Sequence, residues 1–279
     1  MIISSLFFVA PIALAQPVSH GRIDASVFGG KSGIVRGNPF YGSKYLLSDA
    51  QEILLSNRIK RADLQFDRMN QKAADLLTIS EVTANTSQIF ADALNDYQRS
   101  ALLAGSSLNL LSSSDFTGQQ WKAFGGRAVV NLKFIDDLKM NNASNKNQAI
   151  LLGLEDTVTG NVVRFLSRID QVQVFIDSII SSDQEIVEGF SDLRDAELLT
   201  RFAEKARLYS LSEASYQYSS AAQELYSAVA TRLWEAVTDE NDSLLTEVLQ
   251  LSGSATQRAL SIKHLIELQP SLSTALLLR

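Results

Sequence analysis

Between residues 51 and 104 one set of positions recurs alternately four and three residues apart. It reads Leu55, Ile59, Ala62, Phe66, Met69, Ala73, Leu76, Ser80, Thr83, Ser87, Phe90, Leu94, Tyr97, Ala101 and Ala104. That spacing lays one stripe along an α-helix, a heptad seam held for about seven repeats. Only Ser80, Thr83 and Ser87 weaken it. Ser48, followed three residues later by Gln51, forms a capping box that satisfies the first free amides of a helix. No Pro or Gly interrupts the stretch before Gly105. One helix is therefore predicted over residues 48–104, about 80 Å long at 1.5 Å per residue. Leu55, Ile59, Phe66, Met69, Leu76, Phe90, Leu94 and Tyr97 anchor its seam. Such a rod cannot bury its stripe alone and needs long partners.

The pattern changes on either side. Residues 17–47 carry Gly and Pro with no sustained period and read as an extended lead-in. Residues 105–160 break into Ser112-Ser113-Ser114, Gly118, Gly125-Gly126 and a polar run over 140–148, and read as an irregular or mixed insert. Its apolar pieces, Ala128–Leu132 and Ala149–Leu154, suit either strands or short helices. From residue 161 helical spacing returns with Val162, Phe165, Ile169, Val172, Ile176 and Ile179, then Ile186, Phe190 and Leu193. Ser182 and Glu185 form a second capping box, which predicts a kink near Ser181. Leu208, Leu211, Ser215, Tyr218, Ala222, Leu225 and Val229 carry a further seam towards Trp234. A last helix, over Leu244 to Ile266, ends at Pro270. The fold class that follows is all-α, an elongated bundle of long antiparallel coiled-coil helices, with residues 161–279 packing on the N-terminal helix.

Beyond Glu267 lie Leu268, Leu272, Leu276, Leu277 and Leu278. Three of them stand four apart and make one apolar face after the Pro270 break. Natural surfaces seldom leave such a patch uncovered, so these leucines are the candidate self-association surface.

Composition narrows the function classes. A net charge of −6 with a pI near 5.1 argues against nucleic-acid binding, which needs clustered Lys and Arg. With no cysteine there is no disulfide, thiol nucleophile or cysteine-based zinc site. Prolines stand only at 11, 17, 39 and 270, leaving the long middle free of the strongest helix breaker. Residues 1–16 form an apolar run ending Ala13-Leu14-Ala15, like a signal-peptide core with its cleavage site before Gln16. Its roughly fourteen apolar residues are too few for a stable membrane span.

Candidate chemistry is sparse. Residues 25–32 are a relaxed match to a phosphate-binding loop, with Gly30-Lys31-Ser32 at its end and Asp136 as a conceivable metal-holding carboxylate. The motif needs a buried strand before it and a helix after it, whereas polar residues precede it and Gly33, Gly37 and Pro39 follow. A glycine turn is the better reading. His20 and His264 have no second ligand at metal-binding spacing, and His264 reads as a solvated or interface residue. No Gly-x-Ser-x-Gly elbow occurs, and no carboxylate pair stands out as an acid–base couple. Tyr209, Tyr216, Tyr218 and Tyr226 fall at helical spacing as core or partner contacts, and Asn85, Asn142 and Asn241 begin glycosylation sequons. No catalytic, cofactor-binding or metal residue is expected, and the chain reads as non-enzymatic.

Ser32-Gly33, Asn38-Pro39 and Leu55-Ser56-Asn57-Arg58-Ile59 resemble the progression that leads into the first long helix of bacterial flagellins, especially the alphaproteobacterial type. Leu249-Gln250, Ala259-Leu260-Ser261-Ile262 and the closing Leu276-Leu277-Leu278-Arg279 are similar to that family's terminal helix. The apolar opening departs from the family's polar amphipathic start. The resemblance implies N- and C-terminal helical regions packed together around a variable insert, without catalysis. The functional expectation is thus a structural, self-associating filament subunit forming a homo-oligomer or polymer, secreted to the bacterial surface or held in the periplasm. Two other readings stay open: an exported binding or secretion-apparatus component of adhesin or pilus-tip type, and a helical pore-forming toxin.

Export makes a direct prediction. Mass spectrometry of protein from its native source should place the mature N-terminus at Gln16 or within a few residues of it. An intact Met1 in exported material would overturn cleavage.

Overall fold

The computed structural model describes residues 25–29, 34–36, 38–43, 55–84, 87–116, 120–140, 145–181, 192–238, 263–264 and 267. Among these the chain is all-helical, without a strand, as the periodicity predicts. Seven α-helices run in order: α1 (Arg58–Val82), α2 (Gln88–Asn109), α3 (Gln120–Met140), α4 (Asn145–Arg168), α5 (Val172–Ser181), α6 (Asp192–Leu208) and α7 (Ser212–Thr238).

The single rod expected over 48–104 is instead two helices, and the break falls where the seam turns polar. Thr83 leaves the helix in an extended conformation (φ −130°, ψ 153°), and its backbone N–H and hydroxyl both donate to the Ile79 carbonyl. Ser87 then caps α2, its hydroxyl accepting from the Phe90 N–H. At the other end Asn57 caps α1, its side chain accepting from the Lys60 N–H, so the helix begins at Arg58. Ser48 and Gln51 lie outside the described residues. Lys72 Nζ lies 3.9 Å from Asp96 Oδ2. These two residues are nearly equidistant from the turn, so α1 and α2 run antiparallel. The seam folds back on itself. Phe66, Met69, Leu76, Phe90, Leu94 and Tyr97 are all buried in one core, while Ile59 and Leu55 are half-buried at its end.

The segment expected to be an insert is the centre of the molecule. Residues 105–160 hold all of α3 and parts of α2 and α4. Asn131 on α3 donates to Asn70 on α1 at 2.8 Å and accepts from the Tyr97 hydroxyl on α2 at 2.9 Å. Arg127 joins Asp63 and Asp67 of α1. Arg168 of α4 donates to the carbonyls of Leu108 and Asn109, helping to satisfy the C-terminal end of α2. The α1/α2 and α3/α4 hairpins thus form a four-helix layer. Gly125 sits inside α3 because a side chain there would meet the Phe175 ring at 2.8 Å, so the glycine is a close approach and not a breaker.

Two further turns close the chain onto this layer. Asp170 (φ 53°) and Ser210 (φ 59°) are left-handed, and the N–H groups of Gln171 and Leu211 reach back to Leu166 and Ala206. Both are Schellman ends, a motif usually built on Gly. They separate α4 from α5 and fold α6 and α7 into a hairpin. Val162, Phe165, Ile169, Val172, Ile176 and Ile179 are buried as their spacing predicts. The kink near Ser181 and the last helix over 244–266 fall outside the described residues, Lys263 and His264 apart. The lead-in is not simply extended: Ala25–Phe28 forms a 3-10 turn that packs Phe28 edge-on to Phe134 of α3, with centroids 5.2 Å apart. Arg36 pairs with Asp92 and Asp96 of α2. No described helix is long and apolar enough to cross a membrane.

The adjacent glycines of α3 should respond oppositely to alanine. Gly125→Ala drives a methyl into the buried Phe175 ring and should cost about 1–3 kcal/mol. Gly126 has nothing within 4 Å, so Gly126→Ala should gain about 0.5–1 kcal/mol of helix stability. Urea unfolding of the two variants measures both signs.

Candidate functional site

Every residue of α3 from Ala128 to Lys139 is buried, yet five of those twelve are polar: Asn131, Lys133, Asp136, Asp137 and Lys139. Burying a lone charge is costly unless an opposite charge and hydrogen bonds replace its water. Helix α6 supplies most of the replacement. Lys133 pairs with Asp195 at 2.9 Å. Arg194 pairs with Asp137 and donates to the Lys133 carbonyl at 2.9 Å. Arg201 forks onto both oxygens of Asp136 at 2.9 and 2.8 Å and also pairs with Glu155 of α4. Lys139 bridges Asp136 and Glu155 at 2.8 Å each. Four cations therefore meet four carboxylates across three helices.

Their titration follows from the same contacts. Burial alone would raise the Asp136 carboxyl, but Arg201 and Lys139 outweigh it and hold the group well below the ordinary carboxylate range. Burial depresses the Lys139 ammonium despite its contact with Asp136. The Arg194 guanidinium, which burial would lower, is instead raised by Asp137 and Asp136. Asp136 thus contributes stability that is present above the ordinary carboxyl range and is lost as pH falls below it.

Glu197 is the fifth carboxylate, and it differs from the other four. Its Oε1 is buried and has no hydrogen-bond partner among the described residues, nor is it in an ion pair there. Burial and the neighbouring Asp136 push its carboxyl up to about 8, against the pull of Arg194 and Lys139. Beyond it, Thr200, Ser219, Ala222, Gln223, Tyr226, His264 and Glu267 line an open cleft of about 240 Å³ between α6, α7 and the residues near 264. His264 stands edge-on to Tyr226 at 5.2 Å, which makes it a packing residue.

The sequence-predicted positions divide clearly. The seam residues are core. Asp136 is committed to Arg201 and Lys139, so it does not serve the glycine turn at 25–32. Tyr218 and Tyr226 are buried, Tyr209 is half-buried under Arg164 at 4.0 Å, and Tyr216 is exposed. His20, the three sequon asparagines and the leucines at 268, 272, 276, 277 and 278 lie outside the described residues. The charge network itself was missed. Its signal in the sequence was slight: charges at 133, 136, 137 and 139 share about half of the helix circumference opposite Phe134, Ile135 and Leu138, so they read as an ordinary solvated face.

Compared with known proteins, the chain is matched by no family model, and no curated protein or solved structure is significantly similar to it.

Breaking one pair should cost more than removing it. Lys133→Met leaves Asp195 buried without that cation and should lose about 3–5 kcal/mol in chemical unfolding. Lys133→Met with Asp195→Leu should recover most of the loss.

Proposed function

We propose that this chain is a non-enzymatic structural subunit that self-associates outside the cell, a flagellin-like filament protein. The observation that carries the reading is the use of its buried charge. Eight ionised groups converge in the core of the described structure, and each is matched to an opposite charge from a neighbouring helix. A catalytic site would keep such groups open to a substrate. Here they lock helices together. Leu102 and Leu103 on α2 and Leu110 at its C-terminal end are exposed apolar side chains that a partner could cover, and the sequence adds five leucines after Glu267.

A second reading, an exported binding component, draws on the cleft beside Tyr226 and His264. The toxin reading has less support, because the most enclosed helix carries Lys133, Asp136, Asp137 and Lys139 and is poorly suited to enter lipid.

Assembly is decided by the terminal leucines. Concentrated full-length protein should form filaments or closed oligomers in electron microscopy. Deleting residues 268–279 should leave helix content and melting temperature unchanged while light scattering reports a monomer. A truncated chain that loses several kcal/mol of stability has lost core, and the interface would then be wrong. Full-length protein that stays monomeric at high concentration favours the binding component.

A further inference from the structure

The charge network is complete without Glu197. Lys133, Lys139, Arg194 and Arg201 are each paired with Asp136, Asp137, Glu155 or Asp195, and among the described residues no ion pair joins Glu197 to a cation. Glu197 stands on the same helix as Arg194 and Arg201, at the junction where the α6/α7 hairpin meets the four-helix layer. The groups around it can be named by element. From α3 it meets Asp136, which repels its charge, and Lys139, which attracts it but is already shared between two carboxylates. On α6 it has Arg194, committed to Asp137. Tyr226 faces it from α7. Glu155 of α4 is held by Lys139 and Arg201, and the one charged residue of α5, Asp177, is exposed and accepts from Gln173.

We propose that Glu197 is a proton-controlled latch: neutral, it lets the α6/α7 hairpin seat on α3 and α4, and ionised, it loosens that hairpin. The neutral acid fits because a buried carboxyl oxygen without a partner is tolerable when uncharged and costly when charged. The negative form adds a fifth anion to a balanced set and leaves it unpaired. Release of the hairpin returns the group to water, where it ionises freely, so docking and proton binding are linked.

The sign follows from that linkage. The carboxyl is raised when docked, to about 8, so the docked state holds a proton that the released state gives up. Docking is tightest in acid, weakens about tenfold per pH unit above the ordinary carboxyl range, and levels off above pH 8. The depressed Asp136 acts below this window and does not mask it.

Hydrogen exchange of the full-length protein tests the latch, with protection factors corrected for intrinsic rates. From pH 5.5 to 7.5, protection in α6 and α7 should fall by about 100-fold relative to α1 and α2. Glu197→Gln, the neutral isostere, should hold that protection flat. Loss of protection that persists in Glu197→Gln assigns the response to another group, such as His264, and overturns the proposal. So does an equal fall in all helices, which would mean global destabilisation instead of a hairpin latch. If Glu197→Gln does not fold, carbon-13 NMR of the wild-type carboxyl decides: titration in the ordinary glutamate range refutes the latch, and titration near pH 8 supports it.

Discussion

From Ala128 to Lys139 helix α3 is buried while carrying four charged side chains, and the rest of the structure has to answer that constraint. An enclosed helix is normally apolar all round. Here the desolvation of Lys133, Asp136, Asp137 and Lys139 is offset only because α6 and α4 bring Arg194, Asp195, Arg201 and Glu155 into register with them. A slide of α6 by one turn would separate every α3–α6 pair at once. The order of helices around α3 is thus fixed by chemistry that apolar contacts alone do not supply.

The two interfaces of the molecule rest on different physics. Within the α1/α2 hairpin the contact is a dry seam of Phe66, Met69, Leu76, Phe90, Leu94 and Tyr97. Such a contact is strong but tolerant of small shifts, because hydrophobic burial is non-directional. Between α6 and α3 it is ionic, directional and sensitive to any change of charge. Asn131 marks the transition. It accepts from Tyr97 and donates to Asn70, so the buried part of α3 is tied to the α1/α2 hairpin by hydrogen bonds and to α6 by ion pairs. Arg127 adds ion pairs to the α1/α2 hairpin nearer the surface.

How far the sequence foretells this depends on the kind of signal. The seam residues of 55–104 were legible as buried because burial follows spacing. Their continuity hid the turn, since the phase of the heptad resumes correctly at Phe90 after the break. Ser80, Thr83 and Ser87 were the only trace of it, and Thr83 and Ser87 proved to be caps. Asp170 and Ser210 gave no warning, because left-handed helix ends are normally announced by Gly or Asn. Gly125 misled in the other direction: it permits a ring to approach, and a single sequence does not distinguish that from a break. The buried charges were hardest to read, since whether Lys133 is solvated or paired depends on Asp195, sixty-two residues away.

Buried ion pairs add little to stability compared with apolar residues of the same shape, so their presence here calls for another reason. Registry is the reason best supported by the geometry. Helices α1 and α2 already bury enough apolar surface to collapse with many partners, whereas the pattern of charge on α3 accepts one alignment of α6. That selectivity has a consequence for the odd group. A balanced network resists added charge of either sign, so Glu197 is most easily held as a neutral acid, and its proton becomes part of what keeps α6 in place. In an apolar interface the same glutamate would simply destabilise the fold. Beside four matched pairs it makes the seating of one hairpin depend on pH, while the dry seam of the other does not.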